Sequence, residues 1–310
     1  MSKIPRVLKL SNGLSIPTIG LGTYKSGPNE VQEAVKYAVG LGYRHIDTAS
    51  FYGNENEIGT ALKSIFKEGK LKREDIFVVT KLWNNYHEKK LVVPQLKQSL
   101  KLLELDYIDL YLVHWPFGFK ESEPLPTGPS GYSDVDYLET WEGMEECVNL
   151  GLAKSIGISN FNEEQMERLL KHCKIPPVVN QVEVNPNNSQ PDLIKFCKGK
   201  GIVITGFCPL ERIGLTKTPN YPGATVEDPR VIEIAKKHNK TPAQVVLRYL
   251  LELGISIIPK SVNSTRIKEN FEIFDFDLSA DDLEVLKSRN KNARTSAMLD
   301  YKNHKYYPFC

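Results

Sequence analysis

Long apolar runs, paired cysteines and an excess of charge of either sign are all missing from this sequence. No stretch reaches the roughly 20 apolar residues that a bilayer-spanning helix needs, and the start, Met1-Ser2-Lys3-Ile4-Pro5-Arg6, lacks the apolar segment of a secretory signal. The five cysteines, Cys147, Cys173, Cys197, Cys208 and Cys310, are odd in number, widely spaced and never in a Cys-x-x-Cys pair. That usage argues against a disulfide framework or a zinc site and for a reducing compartment. A cytoplasmic location is therefore expected, and the sequons at Asn187, Asn239 and Asn263 read as chance matches. A net charge of +2 offers no basic patch for nucleic acid or a membrane surface. The glycine fingerprint of Rossmann-type sheets is absent too, because Gly20-x-Gly22 is followed by Lys25 where the third glycine would fall.

What is present is rhythm. Apolar residues make up 41% of 310, enough to fill a large core, and α/β barrels run to this length as one domain. An opening hairpin is expected from 7–10 and 14–18 around the turn Ser11-Asn12-Gly13. Short β-branched runs then predict strands at 19–22, 43–47, 76–81, 108–114, 155–159, 178–182, 202–207 and 255–258. Helix-period segments alternate with them at 30–41, 55–68, 90–103, 137–149, 163–172, 192–198, 231–238 and 243–253, with one more at 281–288. Eight such units predict parallel βαβ pairing closed as a (β/α)8 TIM barrel, with an open doubly wound sheet as the rival. No linker interrupts residues 1–310, so one domain is expected. Irregular stretches at 117–136, 211–228 and 291–310 are long for a compact domain. The first two follow strands, at the barrel face where such folds keep their active sites.

The predicted strand ends carry unusual residues. Asp47 ends the second strand, Lys81 the third and His114 the fourth, and Tyr52 lies just beyond Asp47. Alternation puts His114 on one face with Ile108, Leu110 and Leu112, capping the barrel core. A rim lysine is costly to bury unless paired, and Asp47 on the adjacent strand is its natural partner. A tyrosine ordinarily titrates at roughly 10; a neighbouring ammonium is expected to draw that down, making Tyr52 a proton donor near neutrality. A neutral His114 could hydrogen-bond a substrate carbonyl and stabilise the developing alkoxide. Each residue alone has a bland explanation: a satisfied structural histidine, a structural ion pair, a loop aromatic. Their coincidence on one barrel face is what points to chemistry.

Gly42-Tyr43-Arg44-His45-Ile46-Asp47-Thr48-Ala49 with Tyr52-Gly53-Asn54-Glu55 resembles the signature of the aldo-keto reductase family. Val79-Thr80-Lys81-Leu82-Trp83, Leu112-Val113-His114-Trp115-Pro116 and Ile258-Pro259-Lys260-Ser261-Val262 resemble its lysine, histidine and late cofactor segments. The likeness runs from Gly20 to Phe309 and is strongest to the aldose and aldehyde reductases. It implies NADPH-dependent reduction of an aldehyde or ketone by a monomer, with Tyr52 as general acid, His114 orienting the substrate, and Lys81 with Asp47 tuning the phenol. Hydride must come from a cofactor, because side chains do not supply it.

The resemblance assigns that cofactor to Gly22, Thr23, Asp47, Ser159, Asn160, Gln181, Phe207, Cys208, Leu210, Lys260, Ser261, Val262, Arg266, Glu269 and Asn270. Independently, Asn263 or Ser264 could cap a helix whose N-terminus favours an anion. Lys260 and Arg266 add the charge expected for a 2′-phosphate. One segment departs from the family pattern: Phe207-Cys208-Pro209-Leu210-Glu211 stands where Tyr-Ser-Pro-Leu-Gly is usual, putting a carboxylate in the loop expected over the pyrophosphate. The substrate pocket is expected from Tyr24, Phe51, Trp83, His114, Trp115 and Phe117, closed by Ala297, Met298 and Leu299 of the tail. Tyr24 replaces a family tryptophan. Such a pocket suits small aldehydes and flat polycyclic ketones, a steroid-type ketone such as an insect ecdysteroid precursor included. Two alternatives compete: a metal-dependent barrel hydrolase using His45, Asp47 and His114, and a non-catalytic nucleotide-binding barrel.

Overall fold

The computed structural model describes residues 4–211 and 221–309. A hairpin of β1 (Val7–Lys9) and β2 (Ser15–Pro17) opens the chain. The succession then runs β3 (Leu21–Gly22), α1 (Glu30–Leu41), β4 (His45–Asp47), α2 (Glu55–Lys67), β5 (Phe77–Leu82), α3 (Lys89–Leu103) and β6 (Leu110–Val113). A two-stranded excursion, β7 (Gly118–Phe119) and β8 (Tyr132–Ser133), precedes α4 (Tyr137–Asn149). The remainder is β9 (Ile156–Ser159), α5 (Glu163–His172), β10 (Val179–Glu183), α6 (Pro191–Gly199), β11 (Val203–Phe207), α7 (Pro229–His238), α8 (Pro242–Glu252), β12 (Ser256–Ile257), α9 (Ser264–Phe271) and α10 (Ala280–Lys287).

Eight strands form one parallel sheet in the order β3-β4-β5-β6-β9-β10-β11-β12. Its two ends meet. Gly20 N donates to Ile257 O at 2.9 Å, Ile257 N to Thr18 O at 2.9 Å and Gly22 N to Pro259 O at 3.1 Å, closing the ring. The closure is tight at Gly22, where a β-carbon would lie 2.8 Å from Ile258 O. Closure removes the exposed edges that an open sheet would leave, and it decides against the doubly wound alternative.

Alternation sorts the side chains into two layers. Val79, Leu110, Leu112 and Val179 fill the bore, floored by Leu10 and Ile16 of the hairpin. Val78, Tyr111, Val113, Ile156 and Ile204 point outward against the helices. Ile108 belongs to this outer layer, so it does not share the face of His114 as the sequence suggested. It lies before β6 begins, and Asp109 between them accepts from Arg73 Nη2 and Val78 N.

Helix boundaries follow local chemistry. Capping boxes start α5 at Asn162, α8 at Thr241 and α10 at Ser279, each satisfying amide groups that the helix leaves open. Between the two cap candidates for α9, Asn263 serves: its Oδ1 accepts Arg266 N at 3.0 Å. Of the predicted 211–228 loop, residues 212–220 lie outside the described residues.

Candidate active site

Three strands and one turn bring the acid–base groups together. β4 ends on Asp47, β5 carries Lys81, His114 follows β6, and the turn Ser50–Tyr52 presents Tyr52. Lys81 is fully buried and Asp47 is 1% exposed. The three N–H groups of the ammonium are all engaged. Nζ donates to Asp47 Oδ1 at 2.6 Å, to Thr48 O at 2.8 Å and to Tyr52 Oη at 3.3 Å. Because the phenol oxygen accepts from Lys81, the phenol hydrogen points elsewhere. Ser50 Oγ donates to Lys81 O, and Asn54 Nδ2 to Thr23 O, pinning the turn that carries Tyr52. The sequence reading missed Thr48, Ser50 and Asn54. All three lie inside the same short segment as Tyr52, which was the available signal.

The electrostatics correct one expectation. Tyr52 keeps partial exposure, yet the protein crowding its phenol pushes it well above its ordinary pKa, with Asp47 adding to the rise. Burial is the largest cause and outweighs the lowering expected from the Lys81 ammonium, whose charge is shared with the Asp47 carboxylate at 2.6 Å. Tyr52 is thus a neutral phenol, the form that can donate a proton. Burial also lowers the Lys81 pKa, opposed by Asp47. His114 is held well below the usual imidazole range by burial and then by Lys81, so the ring is neutral as expected. Its edge meets Trp83, ring centroids 5.0 Å apart, and Tyr52 at 5.9 Å.

Gln181 reaches across the bore from β10, on the opposite side of the ring from β4, and its Nε2 donates to Asp47 Oδ2 at 2.7 Å. Ser159 Oγ donates to Gln181 O at 2.7 Å. Asn160 sits in the left-handed region at φ 62°, and its Nδ2 donates to His114 O and Ser159 Oγ. Its Oδ1 is buried and has no protein partner, and neither does His114 Nδ1. Buried polar atoms are rarely left unsatisfied, so Asn160 Oδ1 fits a ligand donor such as a nicotinamide carboxamide. Thr23 Oγ1 donates to Asp47 O, tying Thr23 and Gly22 to this rim. Phe207 and Cys208 follow at the end of β11, both half-buried, Cys208 at φ 48°.

Around the rim, Lys260 and Arg266 are both exposed beside the N-terminus of α9. Each Lys260 charge effect comes from a neighbour: Arg266 lowers its pKa after burial does, while Glu30 raises it. Two adjacent cations at a helix N-terminus fit a phosphate. Ser261 and Asn270 are buried here, with Val262 and Glu269 half-buried. Leu210 packs on the outer core. Glu211 turns inward instead of standing over the rim. It is 9% exposed, and its carboxylate accepts Asn187 Nδ2, Thr225 Oγ1 and Thr225 N. The departure from the small residue therefore ties the base of the loop to the barrel.

An aromatic wall rises beside His114. Trp83, Trp115, Phe117, Phe119, Tyr301 and Tyr307 form one buried cluster, with Phe51 and Met298 packed against it. Phe51 stacks on Trp83 at 3.8 Å, and Tyr24 packs against Tyr52 at 4.9 Å. Trp83 Nε1 donates to Pro124 O at 2.7 Å, fixing the 117–136 stretch over the wall. Leu299, the other apolar residue expected here, is 66% exposed and follows Met298, whose backbone is left-handed at φ 48°. For the hydrolase reading, both Asp47 oxygens are already taken, by Lys81 and Gln181. Among the described residues no group of three His, Cys, Asp or Glu could hold a metal ion.

Fold and strand-end apparatus define the class, an oxidoreductase built on a (β/α)8 barrel. The aldo/keto reductase family profile matches residues 18–291. The sequence is 43% identical over 321 positions to estradiol 17 beta-dehydrogenase 5 of Mus musculus, covering 100% of this chain and 99% of that one. The solved aldose reductase of Schistosoma japonicum superposes with a TM-score of 0.91 at 43% identity, covering 98% of each chain. A Bombyx mori aldo-keto reductase in complex with NADP superposes with a TM-score of 0.92 at 39% identity over 100% of both. The chain belongs to the aldo/keto reductase family. Among the described residues no helix is long and apolar enough to cross a membrane.

Proposed function

We propose that this protein reduces aldehydes and ketones to alcohols with NADPH, and that Tyr52 gives the proton. The observation that carries the reading is the engagement of Lys81 Nζ by Asp47, Thr48 and Tyr52 together. It leaves a neutral phenol with its hydrogen free and a cation touching its oxygen. As the proton leaves, the phenolate forms beside an ammonium already in place, which needs no reorganisation at the moment of transfer. His114, neutral and wedged against Trp83, orients the carbonyl oxygen toward Tyr52. Asn160 and Gln181 hold the carboxamide end of the dinucleotide, and Ser159 braces Gln181. Lys260, Ser261 and Arg266 hold its 2′-phosphate, with Glu269 and Asn270 at the adenine. Bound in this way, NADPH supplies the hydride that the side chains cannot.

The aromatic wall of Trp83, Trp115 and Phe51, with Met298 from the tail, suits apolar carbonyl compounds. Tyr24, 41% exposed, occupies less of the mouth than a tryptophan would. We infer that flat polycyclic ketones of the steroid type are accepted along with small aldehydes; the name of the Mus musculus relative supports this. Five cysteines without a pairing pattern support a reducing, cytoplasmic setting, and we take the working form to be a single-domain monomer. The direct test is NADPH consumption across sugar, aliphatic, aromatic and steroid carbonyls. Turnover with several of them is expected, and none with any reactive aldehyde would overturn the reading.

A further inference from the structure

β10 ends on a carboxylate that the acid–base groups do not use. Glu183 is completely buried at the rim, two residues beyond Gln181 on the same face of the strand. Among the described residues the hydrogen bonds given for its two oxygens all come from donors, and most of those donors belong to the tail. Thr295 N approaches Oε1 at 2.9 Å and Oε2 at 3.0 Å, Thr295 Oγ1 donates to Oε1 at 2.8 Å, and Ser296 N donates to Oε2 at 2.7 Å. Asn185 Nδ2 adds a bond at 3.2 Å, and the Arg294 guanidinium lies close enough to feel the charge. Two successive backbone N–H groups on one anion make a nest, here with the carboxylate supplied by the barrel and the nest by the tail.

The tail is fastened again just beyond. Tyr307 Oη donates to Ala297 O at 2.6 Å, and Arg294 stacks over Phe309 at 3.7 Å. Met298 lies next to the second fastening, and its left-handed backbone brings the side chain against the Trp83 and Trp115 cluster. We propose that Glu183 is a positioning residue for substrate selection: its carboxylate fixes the tail at Thr295 and Ser296, and thereby sets how far Met298 closes the pocket. The inference rests on the reading of the pocket given above. Glu183 touches no reacting atom in this role, so it acts on which carbonyl compound fits and leaves proton transfer to Tyr52.

The test exploits the all-donor surroundings. Glu183→Gln keeps the size but places an amide donor against backbone donors, so it unseats the tail without leaving a cavity. Amide hydrogen exchange at Thr295, Ser296 and Met298 is expected to rise roughly tenfold or more. In the same protein, KM for bulky ketones is expected to shift several-fold while NADPH affinity, read by fluorescence titration, stays within about twofold. Thr295→Val removes one hydroxyl donor and leaves Glu183 in place; it guards against misfolding and should give the same shift in miniature. If Glu183 acts through Met298, the changes in substrate ranking caused by Glu183→Gln and Met298→Ala will not add in the double variant. Unchanged exchange in a folded Glu183→Gln protein, or strict additivity with Met298→Ala, would overturn the proposal. A wild-type protein that reduces no carbonyl compound would instead defeat the functional reading, and exchange would still decide whether the carboxylate holds the tail.

Discussion

Lys81 donates to the phenol oxygen of Tyr52 across 3.3 Å, and this direction of donation matters more than the distance. A phenol that accepts from an ammonium has its own hydrogen available for a third party. The same lysine is anchored by Asp47 at 2.6 Å, so the cation cannot swing away when the phenolate appears. Burial raises the resting pKa of Tyr52, which keeps the donor loaded until a substrate oxygen takes the proton.

Replacing Tyr52 by phenylalanine removes that proton and little else. Reduction is expected to fall by about 10²–10⁴-fold or more, while NADPH binding measured by fluorescence titration changes less than about threefold. Near-normal turnover in Tyr52→Phe would assign the proton to another group.

The paired cations beside α9 distinguish two dinucleotides that differ by one phosphate. Each charge-assisted bond contributes on the order of 1.5–3 kcal/mol, so Lys260→Ala with Arg266→Ala should weaken NADPH by roughly 10²-fold or more. NADH should lose little. Equal losses in titrations of both would remove these residues from the 2′-phosphate.

Met298 packs against the aromatic wall. Met298→Ala is therefore expected to reorder the substrates, by roughly 10–200-fold in relative kcat/KM for the bulkiest against the smallest carbonyl, with cofactor affinity unchanged. An identical substrate profile would place the tail outside the pocket.

Acid should destabilise the fold through its buried imidazoles. Burial holds His45 at about 4 and His87 at about 3, against an ordinary 6.5. Above 6.5 both are neutral folded or unfolded and contribute nothing. Below it the unfolded chain takes up protons that the folded chain refuses, so stability falls with pH, by up to about 1.4 kcal/mol per pH unit for each histidine. The melting temperature should drop between pH 6.5 and about 4, and His45→Gln should flatten part of that slope. A melting temperature constant across the window would contradict the assignment.

Much of this was legible because strand ends in a barrel are conspicuous: Asp47, Lys81 and His114 interrupt apolar alternation just where the chain leaves the core. Helix limits were legible at Tyr137–Asn149 and Glu163–His172 because amphipathic period and a side-chain N-cap, Asp136 or Asn162, agree there. The strands β7 and β8 were not, since two residues each are too few to show a period. The sign of the Tyr52 shift was hidden because it depends first on how completely the folded protein buries the phenol, which the sequence does not show. Glu183 was invisible for another reason. Its partner segment lies more than a hundred residues further along the chain, with no local pattern to connect them. Glu211 was noticed as a misfit, but only its burial against Asn187 and Thr225 shows where the charge goes.

The bond from Gln181 to Asp47 is a strut between opposite walls of the cylinder. It means that Asp47, and through it Lys81, is braced by the staves as well as by the turn that carries Tyr52. The tail can then be exchanged: a different one could be grafted on to choose another guest, while the Asp47–Lys81 anchor beneath stays in place. A lineage that keeps the strut is free to diversify its diet.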